Sequence, residues 1–379
     1  MVEVSPMLLK QIRRDLHQIP EIGLKEIKTQ QYLLDYLNTL PQDNLEIKTD
    51  NTAILVRIKG SNPTKTIGYR TDIDALPITE ATGLDFTSVH QDVMHACGHD
   101  FHMTIALGII TELIQCDLTD DILFFFQPAE ENMSGAKIYT DNGFLDLKQV
   151  DEFYGLHVHP GLEVGDIATS KSTLFAGACR FNVTFIGKES HAAFPHEGND
   201  MIVAATSFIQ QAQSILSRSI DPMESAVITF GEIHGGVADN VVAGCVNTTG
   251  TIRTLTHETN DLVLNRFKEI TLGTELTYNC EIVLELDQMG YVPVVNDEKL
   301  ATEFIEFFNQ SNELNCLEVD PVMTAEDFGY ILREVPGVMF WLGVDSEYGL
   351  HHAKFNPKEE ALHLVVSEMS EFLKNRGNS

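Results

Sequence analysis

Positive charge is scarce in this chain. Only 25 lysines and arginines stand against 56 aspartates and glutamates, a formal net charge of −31 over 379 residues. The carboxylates are spread along the sequence rather than gathered in a tail. Such a field repels nucleic acid and anionic membrane surfaces, so neither is expected as a partner. Long apolar runs are missing too: no stretch approaches the roughly 18–20 continuous apolar residues that span a bilayer. The start MVEVSPMLLKQIRRDL lacks the apolar segment and small residues of a secretion signal. The six cysteines, at 97, 116, 179, 245, 280 and 316, show no paired spacing. That pattern fits a reduced, cytoplasmic chain with one functional thiol better than a disulfide framework. There is no internal repeat and no low-complexity tract. What is present, 43% hydrophobic residues in a chain of this length, allows a large core and two or three domains.

Helical spacing of Leu8, Leu9, Ile12 and Leu16, and again of Tyr32, Leu33, Tyr36 and Leu37, predicts helix over residues 5–39, broken at Pro20. Strands are expected around residues 46–58 and 66–69, at 121–126, 153–158 and 338–342, with helices over 104–115, 297–311 and 357–373. Between these α/β stretches the pattern changes. Strands at 179–186, 225–233, 241–254 and 277–286 and helices at 201–217 and 258–271 give the order β-α-β-β-α-β of a ferredoxin-like unit. The expected fold is therefore α/β: a mixed-sheet domain made of residues 1–176 and 288–379, interrupted by an inserted α+β domain at 177–287.

Chemistry-bearing residues gather where the expected strands end. The nine residues Met94–His102, MHACGHDFH, hold one thiol, three imidazoles and a carboxylate. Cys97 and His99, one residue apart, can point to the same side of a turn and suit a divalent ion such as zinc, manganese or cobalt. Asp72 and Asp74 follow one strand, Glu130 and Glu131 follow the apolar run 121–126, and His157 lies in a third. Adjacent carboxylates at the end of a core strand are costly unless a cation neutralises them. His351 and His352 complete the ligand-capable set. Metal-assisted hydrolysis needs three or four ligands, an open position, and a carboxylate outside the ligand set as base. A redox role for Cys97 is disfavoured because no second cysteine lies near it.

The motifs RRDLHQIPEIG, YRTDIDALPI, MHACGHDFHM, QPAEE, GLHVHP, SHAAFPHEGND, GTIRT, MTAEDFGY and LHHAKF run in order from residue 13 to 355. In these the chain resembles the metal-dependent aminoacylase and carboxypeptidase-G type amidohydrolases, in the branch that includes hippurate hydrolase. KTQQYLL, HMTIALGII and MFWLGVDSEYGLHHAK point within that branch to bacterial deacetylases of an N-acetylated diamino acid, with hippurate-like or other N-acyl amino acids as the alternative substrates. The resemblance implies a metallohydrolase catalytic domain, with the insert as a lid and dimerisation domain in a homodimer or dimer of dimers. It implies two divalent ions (Mn, Zn, Co or Ni) held by Cys97, His99, Glu131, His157 and His351, with His352 an open alternative to His351. Glu130 is the expected general base, the reverse assignment with Glu131 staying open. Asp72, in an Asp-x-Asp where relatives carry His-x-Asp, is expected to orient ligands or substrate. His191 is expected to stabilise the oxyanion, reaching over from a partner subunit, and Asn240 and Arg253 to contact the substrate.

Overall fold

The computed structural model describes residues 4–378, which divide into two compact units. The first runs to Leu174 and resumes at Val295–Asp320 and from Tyr330 onward; the second is Phe175–Val294 with Pro321–Gly329. Residues 288–294 and 321–329, expected with the catalytic part, therefore pack with the insert. The reason is backbone pairing: Ala176 N–H donates to Val322 O and Thr324 O, and Ala178 N–H to Tyr291 O.

The first unit is built on an eight-stranded mixed sheet. Across it the strands lie in the order Leu45–Asp50, Ala53–Ile58, Asp121–Gln127, Thr66–Asp72, Glu152–His159, Gly337–Gly343, Asp166–Thr169 and Asn315–Glu318. Thr66–Asp72 runs parallel to both of its neighbours, and Gly337–Gly343 runs parallel to Glu152–His159. These central strands are wholly apolar or fully buried because both sheet faces are covered. Their C-terminal ends, at Asp72, Gln127 and His159, fall on one edge, the side where open α/β sheets build their sites.

Helix His99–Leu113 is buried along nearly its whole length and packs against helices Pro6–His17 and Glu360–Arg376. It was expected to start at 104. Three of its first four residues, His99, Asp100 and His102, are polar, so no apolar periodicity marks its first turn, and no side chain caps it. Gly98 fills that role in a left-handed conformation (φ 85), and a Cβ there would stand 2.5 Å from Val158 Cγ2.

The second unit has the expected β-α-β-β-α-β order. Its antiparallel sheet is arranged Ala226–Gly235, Cys245–Thr254, Gly177–Ile186, Glu281–Asp287, with helices Met201–Arg218 and His257–Tyr278. Phe181, Phe185, Phe208 and Phe267 lead its separate core. The strand expected over 241–254 is two pieces, because Val241–Val242 leaves the sheet to pair with Ser190–His191.

Candidate metal centre

The first unit brings Cys97, His99, Glu130, Glu131, His157 and His351 together. Ligand atoms lie within 4.8 Å of one another in the overlapping groups Cys97–His99–His157, Cys97–Glu131–His351 and His99–Glu130–Glu131. Cys97 Sγ is 3.3 Å from His157 Nε2. Glu131 Oε1 is 3.8 Å from His99 Nε2 and 3.4 Å from His351 Nε2.

Two of the imidazoles are held by their far nitrogens. His99 Nδ1–H donates to Asp74 O at 2.9 Å, and His157 Nδ1–H to Val158 O at 2.9 Å. Both Nε2 atoms thereby face into the cluster, where a metal would displace any proton and take their lone pairs, the arrangement that fixes a ligating histidine. His99 Nε2 and Glu131 Oε1 are buried without hydrogen-bond partners. Burial lowers the affinity of His99 for a proton, but Asp72, Asp74 and Glu131 outweigh it and raise the imidazole to about 10. Burial, then Glu131 and Glu130, push the Cys97 thiol far above its ordinary range. The carboxylates that would suit a cation therefore keep Cys97 protonated without one, and a thiolate there needs a divalent ion beside it. Orphaned donors, surplus negative charge and a mixed S, N, O set together fit a divalent metal.

Asp72 sits one step behind this cluster. Its Oδ1 accepts from His102 Nδ1 at 2.5 Å and its Oδ2 from Arg70 at 2.7 Å, with His99 Nε2 at 3.6 Å. His102 Nε2 accepts from Val158 N–H at 3.0 Å, which fixes the proton on Nδ1. Burial would raise the Asp72 carboxyl, yet His102, His99 and Arg70 hold it well below the usual range. Asp74 Oδ2 accepts the Glu131 N–H at 3.0 Å and so ties two strand ends together. Of the two adjacent histidines, His351 joins the cluster, while His352 stacks on Tyr348 with ring centroids 4.6 Å apart.

Arg13 and His17, within RRDLHQIPEIG, have a role that the sequence alone does not assign. Both are fully buried. Arg13 Nε donates to Asp100 Oδ2 at 3.0 Å, and His17 Nδ1 stands 2.7 Å from the same oxygen. Arg13 also reaches Glu359, and His17 reaches Glu80. This network grips the first turn of helix His99–Leu113 and hence the backbone that carries His99. The Arg-x-x-x-His spacing, one helical turn apart, was the signal for it.

In the second unit His191 and Asn240 come together, since His191 pairs with Val241 and Ala192 N–H donates to Asn240 O at 3.0 Å. His191 Nδ1 accepts from Ala193 N–H at 3.1 Å, which leaves Nε2–H pointing away as a donor. Arg253 is not with them. It pairs with Ala178, whereas Cys245, beside the ribbon, pairs with Ile186 at the opposite end of the sheet. At about 3.4 Å per residue those ends are on the order of 27 Å apart.

Residues 68–375 match peptidase family M20/M25/M40. The chain belongs to this family. An N-acetyldiaminopimelate deacetylase of Streptococcus sanguinis is 54% identical over 96% of this chain and 97% of its own length. A putative aminohydrolase from methicillin-resistant Staphylococcus aureus superposes with a TM-score of 0.91 at 32% identity, over 98% of this chain and 96% of that one. A dinuclear metal-binding M20 peptidase of Bacillus subtilis gives a TM-score of 0.84 at 28% identity, over 98% of each chain. Both superpositions span nearly the whole of this chain. Among the described residues, no helix is long and apolar enough to cross a membrane.

Proposed function

We propose that the chain is a metal-dependent deacetylase that hydrolyses N-acetyl-LL-2,6-diaminopimelate to LL-2,6-diaminopimelate and acetate, a cytoplasmic step of lysine synthesis. The reaction type rests above all on one observation: Glu130 and Glu131 stand side by side at the buried Cys97–His99–His157 cluster, so that one carboxylate can ligate while its neighbour moves protons. The choice of substrate rests on the deacetylase relatives, which match the chain over nearly its full length.

Cys97, His99, His157, Glu131 and His351 would hold two divalent ions. Such ions, when bound, supply Lewis acidity and lower the pKa of water. The protein's own groups do the rest. Glu130 takes the proton of the attacking water as its oxygen adds to the acetyl carbonyl carbon. His191 Nε2–H donates to the oxyanion that forms. The C–N bond then breaks, Glu130 passes its proton to the leaving amine, and acetate departs. Arg253 clamps a substrate carboxylate, and Asn240 contacts the substrate beside His191. Because Arg253 and the His191–Asn240 pair occupy opposite ends of the inserted sheet, one small substrate meets both only if two subunits contribute. That supports a homodimer, alone or within a dimer of dimers.

The test is a deacetylation panel on metal-loaded enzyme comparing N-acetyl-LL-diaminopimelate, hippurate and N-acetylmethionine. Preference for the diaminopimelate substrate is expected, and preference for hippurate overturns the substrate assignment. Cys97→Ala should lose bound metal, read by elemental analysis.

A further inference from the structure

Glu26 is fully buried in the first unit and has no part in the chemistry above. It occupies the N-cap position of helix Ile27–Leu37, yet its side chain makes no capping bond to that helix. Both oxygens turn elsewhere: Oε1 accepts from Ala129 N–H at 3.0 Å, and Oε2 accepts from the Thr52 hydroxyl at 2.8 Å. Ala129 immediately precedes the Glu130–Glu131 pair and has a left-handed backbone, φ 56. A residue with a Cβ persists there only when its surroundings over-determine it. The loop carrying Glu26 presses on the same spot, for a Cβ on Gly23 would lie 2.8 Å from Ala129 Cβ. Burial, with Asp74 adding to it and the Thr52 bond opposing, raises the Glu26 carboxyl to about 7. An acid held at such a cost calls for a reason beyond filling space.

We propose that Glu26 is a positioning residue for the catalytic carboxylates: by holding Ala129 N–H it fixes the left-handed turn from which Glu130 and Glu131 project. The proposal rests on the reading of Glu130 as general base. Glu26 touches no substrate and donates no ligand.

The experiment compares wild type with Glu26→Ala, Glu26→Gln and Glu26→Asp as full-length, metal-loaded enzymes, measuring kcat, KM and metal content. Misplacement of a catalytic group by an ångström costs up to about a hundredfold in rate, so Glu26→Ala should lose kcat by about ten- to a hundredfold. KM and metal content should hold. Glu26→Gln keeps an oxygen acceptor for Ala129 and should stay within about threefold of wild type. Glu26→Asp keeps the acid but is one methylene short of Ala129, so it should fall with the alanine variant and still report if that variant does not fold. Wild-type kcat in a folded Glu26→Ala or in Glu26→Asp overturns the proposal, as does a Glu26→Gln no better than alanine. If wild type itself ignores N-acetyl-LL-diaminopimelate, the substrate reading fails; the variants are then compared on whichever N-acyl amino acid it hydrolyses.

Discussion

The two units carry their functional groups in opposite ways. In the first, Asp72, His99, His102, Asp100, Arg13 and His17 are essentially removed from solvent, and nearly every polar atom is held by another. In the second, His191 and Asn240 are exposed, and few bonds hold them beyond the short ribbon Ser190–His191 with Val241–Val242. Buried charges persist only when compensated, so the first unit's buried groups are fixed by folding itself, with the exposed His351 at the rim as the exception. The exposed groups cost little to place and take effect only when substrate meets them. Losses of metal or of stability should therefore come only from changes in the first unit, whereas changes in the second should affect turnover alone.

The sharpest way to test that contrast is at the base. Glu130→Gln should reduce kcat by about ten-thousand-fold while metal content stays at the wild-type level. A variant that keeps a tenth of its activity would move the base to Glu131. Next comes the buried network. Arg13→Met leaves the buried Asp100 carboxylate with His17 as its remaining charged partner and should cost about 3–5 kcal/mol of stability in urea unfolding; a loss below 1 kcal/mol would mean the network is not compensating buried charge. On the second unit, His191→Ala should lower kcat by about a hundred- to a thousandfold, with melting temperature and metal content unchanged. A clear fall in melting temperature would break the comparison.

The smallest effect concerns pH. The folded-state Glu26 carboxyl is raised from 4.5 to about 7, so the folded protein binds more protons than the unfolded chain between those values. Its contribution to stability is therefore present below pH 4.5 and is lost as pH rises toward 7. Glu26→Gln should flatten the stability–pH curve across that window, measured by denaturation at several pH values; a slope unchanged from wild type would refute the shift.

Much of this was legible in residue types and order. Cys97, His99, Glu130, Glu131 and His157 announced themselves because ionisable groups beside wholly apolar strands are conspicuous, and the β-α-β-β-α-β run marked the insert. Other features were not legible. The helix start at His99 was hidden because the polar His99, Asp100 and His102 interrupt the apolar pattern that marks the rest of the helix. The attachment of residues 321–329 to the second unit depends on backbone bonds at Ala176, which leave no trace in side-chain pattern.

By itself the sequence determined which donors exist and that Glu130, Glu131 and His157 lie in or just after buried strands, because alternation and apolar runs follow from local geometry. Only the tertiary structure decided how they are used. It turned His99 and His157 so that Nε2 faces inward, and it separated His351 from the stacked His352. It set Asp72 behind the site on His102 and Arg70, and it put Arg253 far along the sheet from His191. These are contacts between segments distant in sequence, set by packing and hydrogen bonding across the fold, and no local pattern encodes them.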